Sequence, residues 1–172
     1  ASLAEPDLAC ALRERVEAAY SLCREVHPEL RRPRVWLDLH GRSAGQAHIG
    51  RGGLRLNPVL YVENRVDFLV EVVPHEMAHW LVYHLEDGRW AQPHGREWQT
   101  VMRRLFGLEP RTTHRFDTGR ASPAPYRYAC HCREHGCTPR RHALASRGRD
   151  YRCRHCAQTL VYLGREVSEK HQ

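Results

Sequence analysis

His75-Glu76-Met77-Ala78-His79 constrains this chain more than any other stretch, because its chemistry exists only if those residues are helical. At about 100° per residue, two imidazoles four positions apart leave one helical face about 40° from each other and can reach one metal ion. Neutral imidazole is a good zinc ligand, and a catalytic zinc usually keeps three protein ligands and an open position for water. Glu76, beside that face, is expected to be the general base that takes a proton from a zinc-activated water and returns it to the leaving amine. Met77, Trp80 and Leu81 fall on the opposite side and predict a helix anchored in a core. His84 points about 180° away from His75 and reads as a surface or second-layer histidine.

The third ligand must come from elsewhere. Leu85 stands where the HExxHxxGxxH form needs its last histidine, so that form is absent. His94 and Glu97 remain. His94 is preferred because it follows the loop directly at Pro93-His94-Gly95, where glycine lets backbone approach the site. Glu97 reads more simply as an acidic first-turn residue that complements a helix dipole.

Around this motif the periodicities predict an α+β body. Leu8, Leu12, Val16, Ala19 and Leu22 or Cys23 lie at helical spacing over 7–27, and Pro28 and Pro33 end that run. Short segments at 34–39, 46–50 and 54–57, parted by glycine-rich turns, read as a small antiparallel sheet. A helix is expected from about Glu63, and Pro74 is expected at the first position of a second one running to about Leu85. After an Asp87-Gly88 turn, helical spacing resumes from Gly95 to Phe106, so two helices face each other across a zincin-type site. Cys10 and Cys23, both on the first helix, are expected to behave as small buried hydrophobes. Arg111 to Pro125 has the composition of a linker. The expected division is a metalloprotease domain over 1–120 and a basic zinc-ribbon module over 121–172.

Five of the seven cysteines crowd into the second part, which favours a metal over disulfides. Cys153-Arg154-His155-Cys156 is a regular CxxC knuckle, and Cys130-His131-Cys132 is a tighter CxC partner. Together Cys130, Cys132, Cys153 and Cys156 would close a structural, tetrahedral zinc, with His135 or Cys137 as substitutes in the irregular half.

Charge is distributed unevenly between the two parts. From Arg111 to Arg165, twelve arginines face three acids, a local +9 that leaves −2 for the rest of a chain whose net is +7. A basic appendage on a near-neutral body is an electrostatic reason to expect nucleic acid. Arg140, Arg141, Arg147 and Arg149 are the candidate phosphate contacts, and Tyr126, Tyr128 and Tyr151 could stack on unpaired bases of single-stranded or distorted DNA, or else pack the ribbon. The longest apolar stretch, around Phe68 to Val73, contains Glu71 and stops at Pro74, well short of the roughly 18 residues a membrane span needs. The N-terminal residues carry neither the basic start nor the apolar core of a signal peptide. A soluble, cytoplasmic protein with no membrane partner is expected, associated with the nucleoid if DNA binding holds.

Taken in order, Leu54-Arg55-Leu56-Asn57-Pro58, Val72-Val73-Pro74-His75-Glu76-Met77-Ala78-His79, Pro93-His94-Gly95-Arg96-Glu97-Trp98, Arg111-Thr112-Thr113-His114 and the stretch from Tyr128 to Cys156 resemble the SprT family, which is related to the eukaryotic Spartan protease. The resemblance covers nearly the whole chain. It implies zinc on His75, His79 and His94, a catalytic Glu76, a C-terminal zinc ribbon and, through Spartan, DNA-dependent proteolysis of proteins crosslinked to DNA. The chain departs from the pattern in the ribbon, at Cys137 and at Ala143-Leu144. His114 matches the pattern without a role that its chemistry suggests.

The leading expectation is therefore a zinc metalloendopeptidase with one catalytic and one structural zinc, acting on protein substrates and associated with DNA. The alternative is a noncatalytic, zinc-stabilised nucleic-acid-binding or regulatory protein. An intact Glu76 weighs against it, since a purely structural site has no use for the carboxylate. A zinc hydrolase of a small amide is a third possibility.

Overall fold

The computed structural model describes residues 5–86 and 92–165, so the Asp87-Gly88 turn and the first four residues lie outside the described part. The described residues form two compact units that part between Asp117 and Thr118.

The first unit opens with helix α1 (Glu5–Val26), which packs on the helix carrying the HExxH motif, α4 (Val73–Leu85). Leu8, Leu12, Val16, Ala19 and Cys23 make the buried stripe expected from their spacing. Burial pushes the Cys23 thiol up to about 12, which keeps it protonated and unreactive. Cys10 departs from its expected burial: it is exposed, with its thiol 3.4 Å from Glu14.

The sheet consists of β1 (Arg34–Trp36), β2 (Gly45–His48) and β3 (Gly53–Leu56) in the order β1-β3-β2. β2 and β3 form an antiparallel hairpin, but β1 runs parallel to β3, so the expected all-antiparallel sheet is corrected to a mixed one. The reason lies in the connection. β2 already occupies one edge of β3, and the segment between Trp36 and Gly45 carries the chain from one edge of β3 to the other. β2 is left as an edge strand beside α4.

Asn57 and Pro58 start a helix about five residues earlier than expected. The buried Asn57 side chain accepts from the N–H groups of Val59 and Leu60 at 3.1 and 3.3 Å, and Pro58 sits where its missing N–H is not needed. The same amide donates to the carbonyls of Gly41 and Ser43 at 3.0 and 3.1 Å, which ties down the loop that enters β2. After α2 (Pro58–Glu63) and the short α3 (Arg65–Asp67), a π-helical turn over Phe68–Val72 runs directly into α4. Pro74 is therefore not preceded by a loop. In a regular α-helix its ring would meet the carbonyl four residues back, and the wider turn before it relieves that conflict.

α5 (Arg96–Arg104) packs on α4 through Trp98 and Met102, which join Ala78 and Val82 in one buried cluster. The residues that follow do not form a linker at once. Leu108 donates to the Met102 carbonyl, His114 bonds the Arg42 carbonyl at 2.8 Å, and the Phe116 ring stacks on Phe68, so the chain stays on the first unit through Asp117.

The second unit holds an antiparallel sheet of β4 (Tyr126–Ala129), β5 (Glu134–Cys137) and β6 (Val161–Arg165) in the order β5-β4-β6. An unexpected helix, α6 (Pro139–Ser146), follows β5. Its start nevertheless has a local signal in the sequence: Thr138 caps the Arg141 N–H and Pro139 takes the first turn. No helix among the described residues is long and apolar enough to cross a membrane.

Candidate active site

α4 presents His75 and His79 on one face. Their Nε2 atoms lie 3.2 Å apart, and the Nε2 of His94 comes within 3.0 Å of that of His75. His94 is placed by an uncommon backbone conformation. Its φ is 62°, a left-handed value that histidine tolerates better than most residues, and its carbonyl is held by the Gln99 side chain at 3.0 Å. An added Cβ at Gly95 would meet the Gln92 carbonyl and Glu97, so glycine is needed where the turn that aims His94 closes. Glu97 is exposed and stands outside the imidazole group, in the acidic first-turn position of α5. His84 also stays outside that group and donates to the Trp80 carbonyl at 2.8 Å.

The donor set fits a zinc ion. Four-coordinate zinc at about 2.0–2.1 Å from each nitrogen sets those nitrogens roughly 3.3 Å apart, close to the separations found here. The His75 ring also makes a hydrogen bond to the Arg111 backbone, of a kind that favours its protonated form and is therefore accepted by the carbonyl. An imidazole that donates from its far nitrogen keeps the near lone pair free for a metal. Burial, reinforced by the neighbouring imidazoles, lowers the His75 pKa to about 4 and that of His79 to about 3, and burial lowers that of His94. Neutral rings are the form a cation binds. Trp98 supports all three, with ring centroids 4.7, 5.4 and 4.7 Å from those of His75, His79 and His94.

Glu76 is buried against β2, where its Oε2 accepts from the Ala47 N–H at 2.8 Å. Burial raises its pKa to about 8, opposed by that hydrogen bond. The group opens onto a cleft of about 850 Å³, bordered by Ser43 to Ala47 on one side and by Leu108 to His114 on another. Ala47 and the Arg111 carbonyl escaped sequence reasoning altogether, since both act through backbone atoms.

In the second unit the Sγ atoms of Cys130, Cys132, Cys153 and Cys156 all lie within 4.8 Å of one another. Cys130 and Cys132 are 3.4 Å apart and Cys132 and Cys153 are 3.7 Å apart, against roughly 3.8 Å for sulfurs about 2.3 Å from a tetrahedral zinc. Backbone N–H groups of Cys156 and His155 hold the Cys153 thiol well below its ordinary range, the electrostatic preparation a thiolate ligand needs. His135 stands beside this group, with Nε2 3.2 Å from Cys130 Sγ. Cys137 is buried with Tyr128, Cys153 and Leu160 and lies outside the four-sulfur group.

The tyrosines around it are used for packing. Tyr126 stacks on His142 with centroids 3.8 Å apart, and the buried Tyr128 hydrogen-bonds His142 Nδ1 at 2.9 Å. Arg141 lies over the Tyr151 ring at 4.5 Å and Arg149 at 5.9 Å. Arg140, Arg141, Arg147 and Arg149 are all exposed.

Comparison with known proteins identifies the relatives of this chain. The model of the SprT-like family matches residues 16–114, which include the three imidazoles, Glu76 and His114. Protein SprT of Pseudomonas aeruginosa PAO1 is 43% identical over 162 residues, covering 92% of this chain and 98% of that protein. Protein SprT of Pseudomonas fluorescens is 44% identical over 156 residues, covering 89% of this chain and 94% of that protein. Protein SprT of Pseudomonas syringae pv. tomato is 40% identical over 161 residues, covering 92% of this chain and 98% of that protein. No solved structure matches the chain. With a family match over more than half its length and relatives this close along nearly all of it, the chain belongs to the SprT-like family.

Proposed function

We propose that this protein is a zinc-dependent metalloendopeptidase with Glu76 as its general base. The observation that carries the reading is the convergence of His75, His79 and His94 on one centre, with a buried carboxyl on the next residue of the same helix. The three imidazoles would hold the zinc, and Cys130, Cys132, Cys153 and Cys156 would hold a second, structural one. Bound at the imidazoles, zinc supplies a Lewis acid that polarises a carbonyl and acidifies water.

The remaining work falls to the chain. As water adds to the scissile carbonyl carbon, Glu76 accepts one of its protons. It hands that proton to the amide nitrogen as the C–N bond breaks, so the peptide leaves as a neutral amine. The Ala47 N–H fixes one oxygen of that carboxyl. Trp98 and the Arg111 carbonyl orient the imidazoles, and the open cleft admits an extended polypeptide.

The substrates proposed are proteins bound or crosslinked to DNA. Exposed Arg140 and Arg141 on α6, with Arg147 and Arg149 after it, supply the positive surface that would bring the enzyme to the phosphate backbone.

The test is zinc-loaded full-length protein incubated with a DNA-binding protein as substrate, without DNA and with single-stranded or duplex DNA. Cleavage stimulated by DNA is expected. Neutralising the four arginines should lower the salt slope of DNA affinity by about 0.7–0.9 for each phosphate that an arginine no longer neutralises. Binding insensitive to salt would remove DNA from the reading, and absence of cleavage under all conditions would remove the protease.

A further inference from the structure

β2 passes over Glu76 at Gly45. A Cβ placed on Gly45 would lie 2.5 Å from Glu76 Cγ, 2.7 Å from Oε1 and 2.9 Å from Cδ, all nearer than the 3.0 Å limit real Cβ atoms respect. Gly45 is not in the left-handed region, so the position needs glycine for space and not for backbone freedom. Two residues on, the Ala47 N–H grips the other oxygen of the same carboxyl at 2.8 Å. Residues two apart on a strand present the same side, so one stretch of β2 both leaves room for the carboxyl and bonds it.

We infer that Gly45 is a positioning residue: the side chain it lacks is the socket that holds the Glu76 carboxyl beside the three imidazoles. The inference rests on Glu76 being the general base. Glu76 cannot yield by bending its tip, because the nearest atom is Cγ, whose place is set by χ1. Relief requires another rotamer, which carries the carboxyl away from its bond to Ala47. A displacement of about 1 Å at a reacting group can cost on the order of 100-fold in rate.

The experiment is a cycle of Gly45→Ala, Glu76→Ala and the double variant in the full-length, zinc-loaded protein, read by zinc content, kcat, KM and melting temperature. Gly45→Ala is expected to keep its zinc and a KM within about twofold of the parent while kcat falls about 100-fold. It is also expected to melt lower than the parent, whereas the double variant should melt with Glu76→Ala, because truncation at 76 removes all three atoms in conflict. Parental kcat and melting temperature in Gly45→Ala would overturn the inference, as would an equal drop of melting temperature in both backgrounds. If Gly45→Ala does not fold, a folded double variant supports the socket and an unfolded one overturns it. A parent without proteolytic activity refutes the protease reading only, and the melting cycle then decides the socket by itself.

Discussion

The Trp98 indole N–H donates to the backbone carbonyl of His75 at 3.2 Å, which ties the first residue of the HExxH motif to α5. Trp98 is fully buried and its ring touches all three imidazoles, so it ties α5, and the turn before it that carries His94, to α4. Trp98→Ala is expected to cost about 3–5 kcal/mol by denaturant unfolding of the zinc-free protein. It should also weaken zinc binding, measured by competition with a chromogenic chelator. Unchanged zinc affinity would mean that the imidazoles hold their places without the indole.

Glu76→Gln keeps the size of the side chain and an oxygen able to accept from Ala47, but not the basicity. The variant should retain zinc by elemental analysis and lose about 10²–10⁴-fold in kcat on a protein substrate. Proteolysis at the parental rate would take Glu76 out of the mechanism.

Stability of the zinc-free protein should pass through a maximum with pH. His75 and His79 titrate near 4 and 3 when folded against an ordinary 6.5, because burial disfavours their charged forms. The unfolded chain therefore binds more protons between about 4 and 6.5, and stability rises with pH across that window. Glu76 acts in the opposite sense. Its pKa is raised from 4.5 to about 8, so the folded state keeps a proton the unfolded chain has released, and stability falls as pH climbs through that range. Below 6.5 the two imidazoles outweigh one carboxyl; above it the carboxyl acts alone among these groups. Urea midpoints of the first unit should rise to about pH 6.5 and decline towards pH 8, and Glu76→Gln should abolish the decline.

The two kinds of ribbon cysteine should separate by zinc content. Cys153→Ser removes one of four converging sulfurs and should leave one zinc per chain where the parent is expected to bind two. Cys137→Ser should retain both, since Cys137 packs against Tyr128 and Leu160 and is not among the converging sulfurs. A missing zinc in Cys137→Ser would place that thiol among the ligands.

Asn57 is buried with its amide fully engaged, accepting from Val59 and Leu60 and donating to Gly41 and Ser43. Asn57→Ala should cost about 1–3 kcal/mol in unfolding free energy, because a helix cap disappears and two carbonyls are stranded. A cost near zero would show that water replaces the amide.

Part of this architecture was legible because it follows from local geometry. The stripe of Leu8, Leu12, Val16, Ala19 and Cys23 predicts a half-buried helix whatever it packs against. The start of α2 was equally local, in the Asn57-Pro58 pair, but the preceding Leu-Arg-Leu alternation drew Asn57 into a strand. The direction of β1 was not local at all, since it depends on which edge of β3 the hairpin had left open.

What the sequence by itself determined is the set of donors and their local spacing. A helix repeats every 3.6 residues, so His75 and His79 must share a face, and a CxxC turn must bring Cys153 and Cys156 together. Only the tertiary structure decided the rest. His94 reaches the centre through its own left-handed backbone, Gly45 makes room for a carboxyl 31 residues ahead, and Arg111 contributes a carbonyl in place of its charge. Those relationships join segments distant along the chain through backbone atoms and empty space, and neither leaves a mark on residue type or periodicity.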